Sequence, residues 1–545
     1  MKKLFTFLII YSSLSVHLFA QGGIGISGSS HLIITANTYL RSNGALTLSA
    51  NRGLIIRPDA FVTINGNTRL NGARAMVIEA NIDGVGSFLD NGTVSSSSSG
   101  SAEVQTWVYG QGGPSGVVYM HLVGPTVTDI DYYGTATTGV RLQQFNMTTL
   151  DTYAYEWDAS VDTTTTQPWV NVWPFGYNVI VANGLALTNY VAGTGIMHMV
   201  GTPVTGNISY LSQNVANNQM EVISNPYPSA INFDAFASTT GANSGDIQNK
   251  YWIYTGFGNS AGNWTQRANG VGGSQYLQVG QGFFVQTLNT TSAINFSNTY
   301  RAHSNDPFRE IKPNVLSVNV RGGNNNYKDA MYIYFEEGAT FSYDEEIESK
   351  KWNSLNDDAT MIRSIANDDT ELAINALPLD KLNTEMITVP THFQCGYEGD
   401  YTMDFNDIET FEENTEIWLE DLQTEEWYSI TSISNQYTFN ATPEDSKHRF
   451  NIHFFGPTGV PETGINPEEL PIKIYSSKQF AYILNNSNEI IKDVVIYDLM
   501  GQILYSGNLP HLTLNKVFVS NTTGYYVVRV LTNNHIYIEK VFITH

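Results

Sequence analysis

Cysteine is almost absent from this sequence. The 545 residues contain a single cysteine, Cys395, which excludes any disulfide bond within the chain. The fold must therefore be held by burial of apolar side chains and by hydrogen-bonded ladders. We interpret Cys395 as a small buried side chain rather than as a reactive thiol.

Basic residues are also scarce. The chain has 27 Lys and Arg against 51 Asp and Glu, which gives a net charge of −24 at pH 7. Residues 304–456 alone hold 30 acidic against 10 basic side chains, a net charge of −20, so this segment is predicted to be a separate acidic domain. Such a negative field repels nucleic acids, which are excluded as partners, and favours divalent cations or basic proteins.

Long apolar runs are confined to the N-terminus. Residues 1–20 begin with two lysines, continue with an apolar run from Leu4 to Ile10 and end at Ala20, the pattern of a cleaved secretory signal peptide. No later stretch reaches the roughly 18 uninterrupted apolar residues that a membrane-spanning helix requires. The sequence therefore predicts an exported protein without a transmembrane segment, either secreted or held at the cell surface.

Common catalytic motifs are missing as well. The sequence has no His-Glu-x-x-His metal site, no Gly-x-Ser-x-Gly nucleophile turn and no glycine-rich phosphate loop. Gly23, Gly25 and Gly28 match the spacing of a dinucleotide fingerprint, but they lead into strands instead of a helix, and that motif requires a helix N-terminus. Paired carboxylates for glycoside hydrolysis are too abundant to be informative. We therefore predict a non-catalytic protein.

No cofactor is predicted, with one alternative left open. Acidic pairs that could bind Ca²⁺ in turns are Asp129 with Asp131, Asp357 with Asp358, and Asp368 with Asp369. None of these turns has the complete ligand spacing of an EF-hand loop. Calcium at one of them stays an alternative to a solvated acidic surface.

What the sequence does contain is typical of strands. Aromatic residues make up 12% of the chain, beside 46 glycines and long Thr, Asn and Ser stretches, so the fold is predicted to be all-β. Four alternating segments stop at asparagines 14, 14 and 16 positions apart, namely Asn37, Asn51, Asn65 and Asn81. We predict that residues 21–101 form a short β-solenoid with these asparagines stacked at one corner. A meander of ordinary hairpins is the alternative.

The rest of the mature chain divides into three predicted β domains. Short apolar strands bounded by Gly, Pro and Asn predict a β-sandwich over 102–303 and a second, acidic sandwich over 304–456. Residues 457–469 are rich in Pro and Gly and predict a linker before a final domain over 470–545. Two short segments of the acidic domain are predicted to be helical, EEIESKKW (345–352) and LPLDKLNTE (377–385).

Two internal strings carry candidate binding residues. YWIYTGFGNSAGNW (251–264) supplies Trp252, Tyr254 and Trp264, whose ring faces would contact a glycan if they are exposed. Core packing within a sandwich strand is the alternative for the same residues. NPYP (225–228) fixes the backbone at two prolines and predicts a rigid turn at a strand end.

The C-terminal residues resemble a known family. IYDLMGQILYSG (496–507) and TGYYVVRVLTNNHIYIEKVFI (523–543) are similar to the type A sorting domain of proteins exported by the bacterial type IX secretion system. The resemblance covers residues 470–545 and implies a compact Ig-like β-sandwich. The residues that occupy the family's motif positions are Gly501, Gln502, Gly524, Tyr525, Val528, Val530 and Lys540.

The resemblance also implies partners and a location. Such domains are recognised by the type IX secretion machinery at the outer membrane of a Gram-negative bacterium. They are commonly removed by its sorting peptidase, after which the protein is released or fixed to surface lipopolysaccharide. Internal segments such as VGQGFFVQT (279–287) and EIWLEDLQT (416–424) resemble adhesin-like cargo proteins of this system. An adhesin or scaffold is therefore the first hypothesis, and a protein that binds or degrades environmental glycans is the alternative.

Overall fold

The computed structural model is built almost entirely of β-strands, which confirms the all-β prediction. It divides into two compact units, Met1–Arg309 and Glu310–His545. No helix among the described residues is long and apolar enough to cross a lipid bilayer. The residues that the structure describes are 16–20, 22–81, 83–110, 119–124, 126–134, 140–145, 152–155, 185–189, 193–212, 218–238, 240–255, 263–289, 293–303, 312–323, 325, 327–354, 357–384, 386–412, 415–455, 472–485, 489–509, 514–520 and 522–543.

The first unit begins with a β-solenoid. Its strands are β1 (Val16–Ala20), β2 (Ile24–Ile26), β3 (Leu32–Ile34), β4 (Thr38–Ser42), β5 (Leu46–Leu48), β6 (Leu54–Ile56), β7 (Phe61–Ile64), β8 (Thr68–Leu70), β9 (Met76–Ile78), β10 (Ala80–Asn81), β11 (Gly84–Val85), β12 (Ser87–Asp90), β13 (Val94–Ser96) and β14 (Ala102–Gly110). Three parallel sheets form, in the orders β1-β4-β7-β12, β2-β5-β8-β13 and β3-β6-β9-β14. Because these neighbours are parallel, the solenoid prediction is confirmed and the hairpin alternative is wrong.

The solenoid repeat is longer than the predicted 14 residues. Leu32 pairs with Leu54 in the parallel register, and Leu54 pairs with Met76, so successive turns lie 22 residues apart and each holds three strands. Ile56 and Leu70 are fully buried with Leu54 in the interior. Each face buries alternate side chains, so the three strands of a turn show the same apolar pattern and mimic a shorter repeat.

An asparagine ladder runs along the solenoid with different members from those predicted. Asn65 Nδ2 donates to Asn43 Oδ1 at 2.7 Å, and Asn91 Nδ2 donates to Asn65 Oδ1 at 2.7 Å. Asn65 is the predicted asparagine that these hydrogen bonds include. Asn37 instead occupies another corner in the left-handed region, at φ 60°, and Asp59 repeats that conformation one turn later at φ 56°.

The first unit continues into antiparallel sheets. Its further elements are β15 (Tyr119–Val123), β16 (Val127–Gly134), β17 (Val140–Phe145), β18 (Thr152–Tyr155), β19 (Leu185–Asn189), β20 (Gly193–Pro203), β21 (Ile208–Leu211), β22 (Met220–Ser224), β23 (Ala230–Asn232), α1 (Phe233–Phe236), β24 (Lys250–Thr255), β25 (Asn263–Ala268), β26 (Val271–Gly272), β27 (Tyr276–Leu277), β28 (Gly282–Gln286), β29 (Ala293–Phe296), a 3₁₀ turn (Asn298–Tyr300) and β30 (Arg301–Ala302). β14 pairs with β9 of the solenoid and also with β20. One sheet therefore runs across residue 101, where the sequence predicts a domain boundary.

Buried polar side chains join the solenoid to the rest of the first unit. Arg301 donates to the backbone oxygens of Phe88 at 2.9 Å and Asp90 at 3.0 Å, and its guanidinium lies 5.0 Å from the ring centre of Tyr227. His303 Nδ1 lies 2.8 Å from the hydroxyl of a solenoid serine. Burial, followed by the charge of Arg301, lowers the pKa of His303 to about 3, so this imidazole is neutral at pH 7.

The NPYP string forms the predicted rigid turn. Asn225 is fully buried, and its Nδ2 donates to the backbone oxygens of Ser229 at 2.7 Å, Gln278 at 2.9 Å and Leu277 at 3.2 Å. Its Oδ1 accepts from the backbone N–H of Tyr227 at 3.0 Å. One amide side chain thus closes the turn and ties it to the neighbouring loop.

The second unit begins with the acidic domain. Its elements are β31 (Val315–Gly322), β32 (Lys328–Glu336), β33 (Ser349–Lys350), β34 (Met361–Ile365), β35 (Glu371–Pro378), a 3₁₀ turn (Leu379–Lys381), β36 (Ile387–Gln394), β37 (Gly399–Asn406), a 3₁₀ turn (Ile408–Thr410), β38 (Glu416–Asp421), β39 (Glu426–Ile430), β40 (Gln436–Ala441) and β41 (His448–Phe455). They form one sheet in the order β39-β38-β41-β36-β34-β35-β32-β31-β37-β40, with β33 on β35. Strands far apart in this order meet across one core, where Phe439 packs 5.0 Å from Phe393 and 4.9 Å from Phe450.

Two expectations about the acidic domain have different outcomes. Cys395 is 7% exposed and burial raises the pKa of its thiol, in agreement with a small core side chain. The helical predictions are wrong, because residues 345–352 form a turn that leads into β33, and the described residues 377–384 hold the end of β35, a 3₁₀ turn and a further turn. Glu348 accepts from the backbone N–H of Ala376 at 2.7 Å, which fixes the first of these segments along β35.

The second unit ends in a β-sandwich, as predicted. Its strands are β42 (Ile472–Ser477), β43 (Phe480–Asn485), β44 (Ile491–Asp498), β45 (Ile503–Gly507), β46 (Leu514–Phe518), β47 (Gly524–Thr532) and β48 (Ile536–Ile543). Two antiparallel sheets, β42-β43-β46 and β45-β44-β47-β48, enclose one core. Ile474 and Ile483 from the first sheet pack there with Ile496 from the second. We call this part the C-terminal sandwich.

Candidate functional site

Exposed apolar side chains concentrate on the C-terminal sandwich. Of the sixteen large hydrophobic residues exposed within the described part of the chain, ten lie in this sandwich. They are Ile490, Leu499, Met500, Ile503, Leu504, Phe518, Tyr525, Ile536, Ile538 and Phe542. Scattered exposed apolar residues are normal on soluble proteins, but a contiguous patch marks an interaction surface.

The alternation of β47 and β48 places several of these residues on one surface. Tyr525 lies opposite Phe542, and Leu531 lies opposite Ile536, in the antiparallel register. Between these rows Ile538 is 62% exposed. The alternate residues of β47, such as Val528 and Val530, lie on the opposite side of the strand, point into the core and are fully buried. We call the exposed side of β47 and β48 the outward face.

A cation and two rings form one end of the outward face. The rings of Tyr525 and Phe542 lie 4.8 Å apart at 52°, and Lys540 Nζ lies 4.7 Å from the centre of the Tyr525 ring. A cation over an aromatic ring is attracted by the negative ring face, by about 0.5–1 kcal/mol at an exposed site. The three side chains therefore hold one another in place at the surface.

The turn between β44 and β45 presents a further exposed pair. Gly501 adopts φ 83°, a left-handed conformation that favours glycine. Asp498 Oδ1 accepts from the backbone N–H groups of Met500 and Gln502, each at 2.8 Å, so the carboxylate closes the turn. Leu499 and Met500 are 64% and 92% exposed as a result.

The residues of the predicted sorting motif therefore lie in three different places. Tyr525 and Lys540 lie on the outward face, Val528 and Val530 in the core, and Gly501 and Gln502 in the exposed turn. Gly524 begins β47. Sequence reasoning missed Asp498 and Phe542. The signals that could have found them are the spacing of an Asp two residues before a turn and the alternating string IYIEKVF.

The predicted glycan-contacting residues are placed differently from the expected exposed platform. Trp252 and Tyr254 are 4% and 7% exposed. Trp264 is half-buried, and its ring packs 5.2 Å from Tyr254 and 5.6 Å from Phe284. The structure therefore brings the three residues together, but as a packed cluster on one side of the sheet rather than an open stacking surface.

Two of the three acidic turns considered for calcium have an aspartate engaged within the protein, and the side chains of Asp129 and Asp131 lie outside the described part of the chain. Asp368 accepts from the backbone N–H of Tyr343 and of Thr370, both at 3.2 Å. A hydrogen bond from the Thr370 side chain, followed by these backbone hydrogen bonds, lowers the pKa of Asp368. Asp358 accepts from the Tyr397 hydroxyl at 2.9 Å. In the described part of the chain, no group of three or more His, Cys, Asp or Glu side chains is arranged to hold a metal ion.

Comparison with known proteins gives a family and little beyond it. The model of a family described as a domain of unknown function (DUF8693) matches residues 12–454. Among curated proteins none matches. The BSP domain of a biofilm-associated protein is 9% identical, with 82% of this chain and 64% of that chain covered at a TM-score of 0.16. The Bacillus anthracis TIE protein is 9% identical, with 79% and 75% covered at a TM-score of 0.10. At these TM-scores neither similarity carries an argument.

Proposed function

The chain belongs to the DUF8693 family, whose function is unknown. For this member of the family we propose an export route and a role outside the cell. The C-terminal sandwich directs the protein through the type IX secretion system, whose outer-membrane machinery recognises it and whose sorting peptidase removes it. The remaining chain acts outside the cell, released or held on lipopolysaccharide, as a non-catalytic adhesin or scaffold.

The observation that carries this proposal is the outward face. A module that only had to fold would gain nothing from keeping Ile538 and Phe542 in water, because their contribution to stability comes from burial. A partner surface that covers them would remove that apolar area from water. Lys540 lies between these two residues on β48 and adds a positive charge that orients the partner.

Deletion of residues 470–545 tests the export route. Expressed in the native host, the truncated protein is expected to stay in the periplasm, and fractionation followed by immunoblotting measures its distribution. Normal appearance at the cell surface or in the medium would refute the sorting role. This deletion also uncovers surface elsewhere in the second unit, so a finer change is needed beside it.

Point substitutions on the outward face supply that finer change. We expect the triple variant Tyr525→Ser, Ile538→Ser and Phe542→Ser to be retained in the periplasm, at least tenfold less abundant outside the cell, while the fold persists because these side chains are exposed. The matched control changes three exposed apolar residues outside the C-terminal sandwich, Ile33→Ser, Leu211→Ser and Ile433→Ser. Equal export of both variants would contradict recognition through this face.

The role of the exported chain needs a separate test. The repeated strands of the solenoid and the missing catalytic motifs favour an adhesin or scaffold. A glycan array with the secreted protein, followed by reducing-end assays on any hit, distinguishes the alternatives. Silence on the array with binding to cells or matrix supports the adhesin. Bound sugar without turnover would favour the glycan-binding alternative, and turnover would overturn the non-catalytic assignment.

A further inference from the structure

The C-terminal sandwich packs on the acidic domain through an apolar cluster. Trp418 of β38 is buried together with Tyr475, Tyr482 and Leu484 of the sandwich. Trp427 of β39 lies at the edge of this cluster, with its ring 5.8 Å from that of Tyr482. The apolar contact therefore comes from strands of both domains. We call this contact, with the polar pairs around it, the docking interface.

Charged side chains flank the cluster on both sides. Lys473 pairs with Glu416, and the Tyr475 hydroxyl donates to Glu416 at 3.0 Å. Lys516 Nζ lies 3.7 Å from Glu420 Oε1. Burial of Tyr475 and the neighbouring Glu416 raise the pKa of its hydroxyl, so it stays a donor. Two lysines of the sandwich thus meet two glutamates of the acidic domain.

Glu420 is itself held by the acidic domain. Its Oε2 accepts from Asn451 Nδ2 at 2.7 Å and lies 3.0 Å from His453 Nε2, while the His453 ring stacks on Trp427 at 4.5 Å. Burial raises the pKa of Glu420, but hydrogen bonds from His453 and Asn451 together with the charges of His453 and Lys516 lower it overall. The carboxylate is therefore charged, and two side chains of the acidic domain hold it in place at the docking interface.

The overall charges of the two parts favour the same contact. Residues 304–456 carry a net charge of −20, whereas residues 470–545 hold six Lys and Arg against four Asp and Glu, a net charge of +2. Two of those six cations, Lys473 and Lys516, lie at the docking interface. Two lysines on one part that meet two glutamates on the other are an arrangement found between the two sides of a specific protein complex.

We propose that the docking interface holds the C-terminal sandwich on the acidic domain independently of the covalent linker. Cutting the chain between Phe455 and Ile472 then leaves the sandwich bound, and its departure is a second step governed by this interface. Once it leaves, Trp418, Trp427 and Glu420 become a new exposed surface of the protein. The inference concerns docking and holds whichever route exports the chain.

A full chain with a protease recognition sequence inserted between residues 457 and 469 tests the proposal. After complete cutting, gel filtration at about 10 μM is expected to give one peak that contains both fragments. Separation of two folded fragments from the cut wild-type protein would overturn the proposal, because the linker alone would then account for the docked arrangement.

Charge reversal locates the effect at the interface. Lys473→Glu with Lys516→Glu is expected to separate the fragments after cutting, with at least a tenfold loss of affinity. The matched control, Lys478→Glu with Lys492→Glu, makes the same charge change at two exposed lysines outside the docking interface and is expected to co-elute. Adding Glu416→Lys to the reversed double variant restores the pair between residues 473 and 416 with the charges exchanged. It is expected to recover part of the lost affinity, which a misfolded sandwich would not do. Co-elution of the reversed double variant would refute the role of these lysines.

Discussion

The buried amide of Asn225 gives the sharpest test of what holds the first unit together. Its side chain has four polar contacts: the two N–H groups of Nδ2 are shared among the backbone oxygens of Ser229, Leu277 and Gln278, and Oδ1 accepts from the backbone N–H of Tyr227. Three N–H groups are thus satisfied, two of the amide and one of the backbone, and each such bond is worth about 1 kcal/mol net. Asn225→Ala is therefore expected to lower the free energy of unfolding of this unit by about 3 kcal/mol.

Asn225→Asp keeps the shape and changes only the donors. The introduced carboxyl still accepts from Tyr227 N–H, but when ionised it turns an oxygen toward three backbone oxygens. Burial raises its pKa above the roughly 3.9 of an unfolded aspartate. The folded state then binds more protons than the unfolded state, so stability is greatest at low pH. It falls as pH rises, by about 1.4 kcal/mol per pH unit up to the raised pKa.

The two variants separate the hydrogen-bond term from the charge term. Urea unfolding at several pH values, with hydrogen exchange of peptides from 218–238 to assign the transition to the first unit, measures both. Asn225→Ala should show the same pH dependence as the wild-type chain, and Asn225→Asp should lose additional stability from pH 5 to pH 8. A loss under about 1 kcal/mol for Asn225→Ala would refute the assigned bonds. Equal pH profiles would refute the charge argument.

Two further changes test local features. Gly501→Ala should destabilise the C-terminal sandwich by about 1 kcal/mol, because φ 83° strains a side chain. Gly501→Asn should cost less, and thermal unfolding compares the two. The wild-type chain should lose stability as pH falls below about 6.5, since the unfolded His303 takes up a proton that the folded one, with a pKa of about 3, does not. His303→Gln should flatten this dependence in urea titrations; an unchanged slope would contradict the burial of a neutral imidazole.

The sequence was sufficient to predict that the N-terminal residues form a β-solenoid, but not to predict the length of its repeat. Alternation of apolar and polar residues depends only on one side of each strand facing the core, so it is the same on all three sheets. Asn37 and Asn65 therefore looked like equivalents, although one has a left-handed backbone at one corner and the other belongs to the amide ladder. Assigning strands to sheets needs the register between turns, which local sequence does not contain.

The segment predicted as a signal peptide ends in a strand of the solenoid. Val16–Ala20 forms β1, which pairs with β4 in the parallel register. Cleavage after Ala20 would remove this strand and leave β4 as the edge of its sheet, and an unpaired edge accepts another strand. N-terminal sequencing of the exported protein decides between a solenoid that keeps β1 and one that ends at β4.

The outward face illustrates why apolar strands alone do not predict burial. The C-terminal strands are rich in apolar residues on both sides, and a compact sandwich with two covered faces fits that pattern equally well. Lys540 was the informative residue, because a lysine in the middle of an otherwise apolar strand face is rarely buried without a partner. Its position between Ile538 and Phe542 marks the side of β48 that faces water.

Local sequence predicts the linker before the C-terminal sandwich, but it does not predict the contact between the two domains that the linker joins. Pro and Gly predict a linker over residues 457–469, which lie outside the described part of the chain, but they say nothing about whether the folded parts on either side touch. The contact depends on Lys473 meeting Glu416 and Lys516 meeting Glu420, pairs at least 57 positions apart in the chain. Such pairs become visible only when both folds are known. A peptidase that cuts this linker would therefore act on a docked sandwich, so cutting and release are separate events with separate determinants.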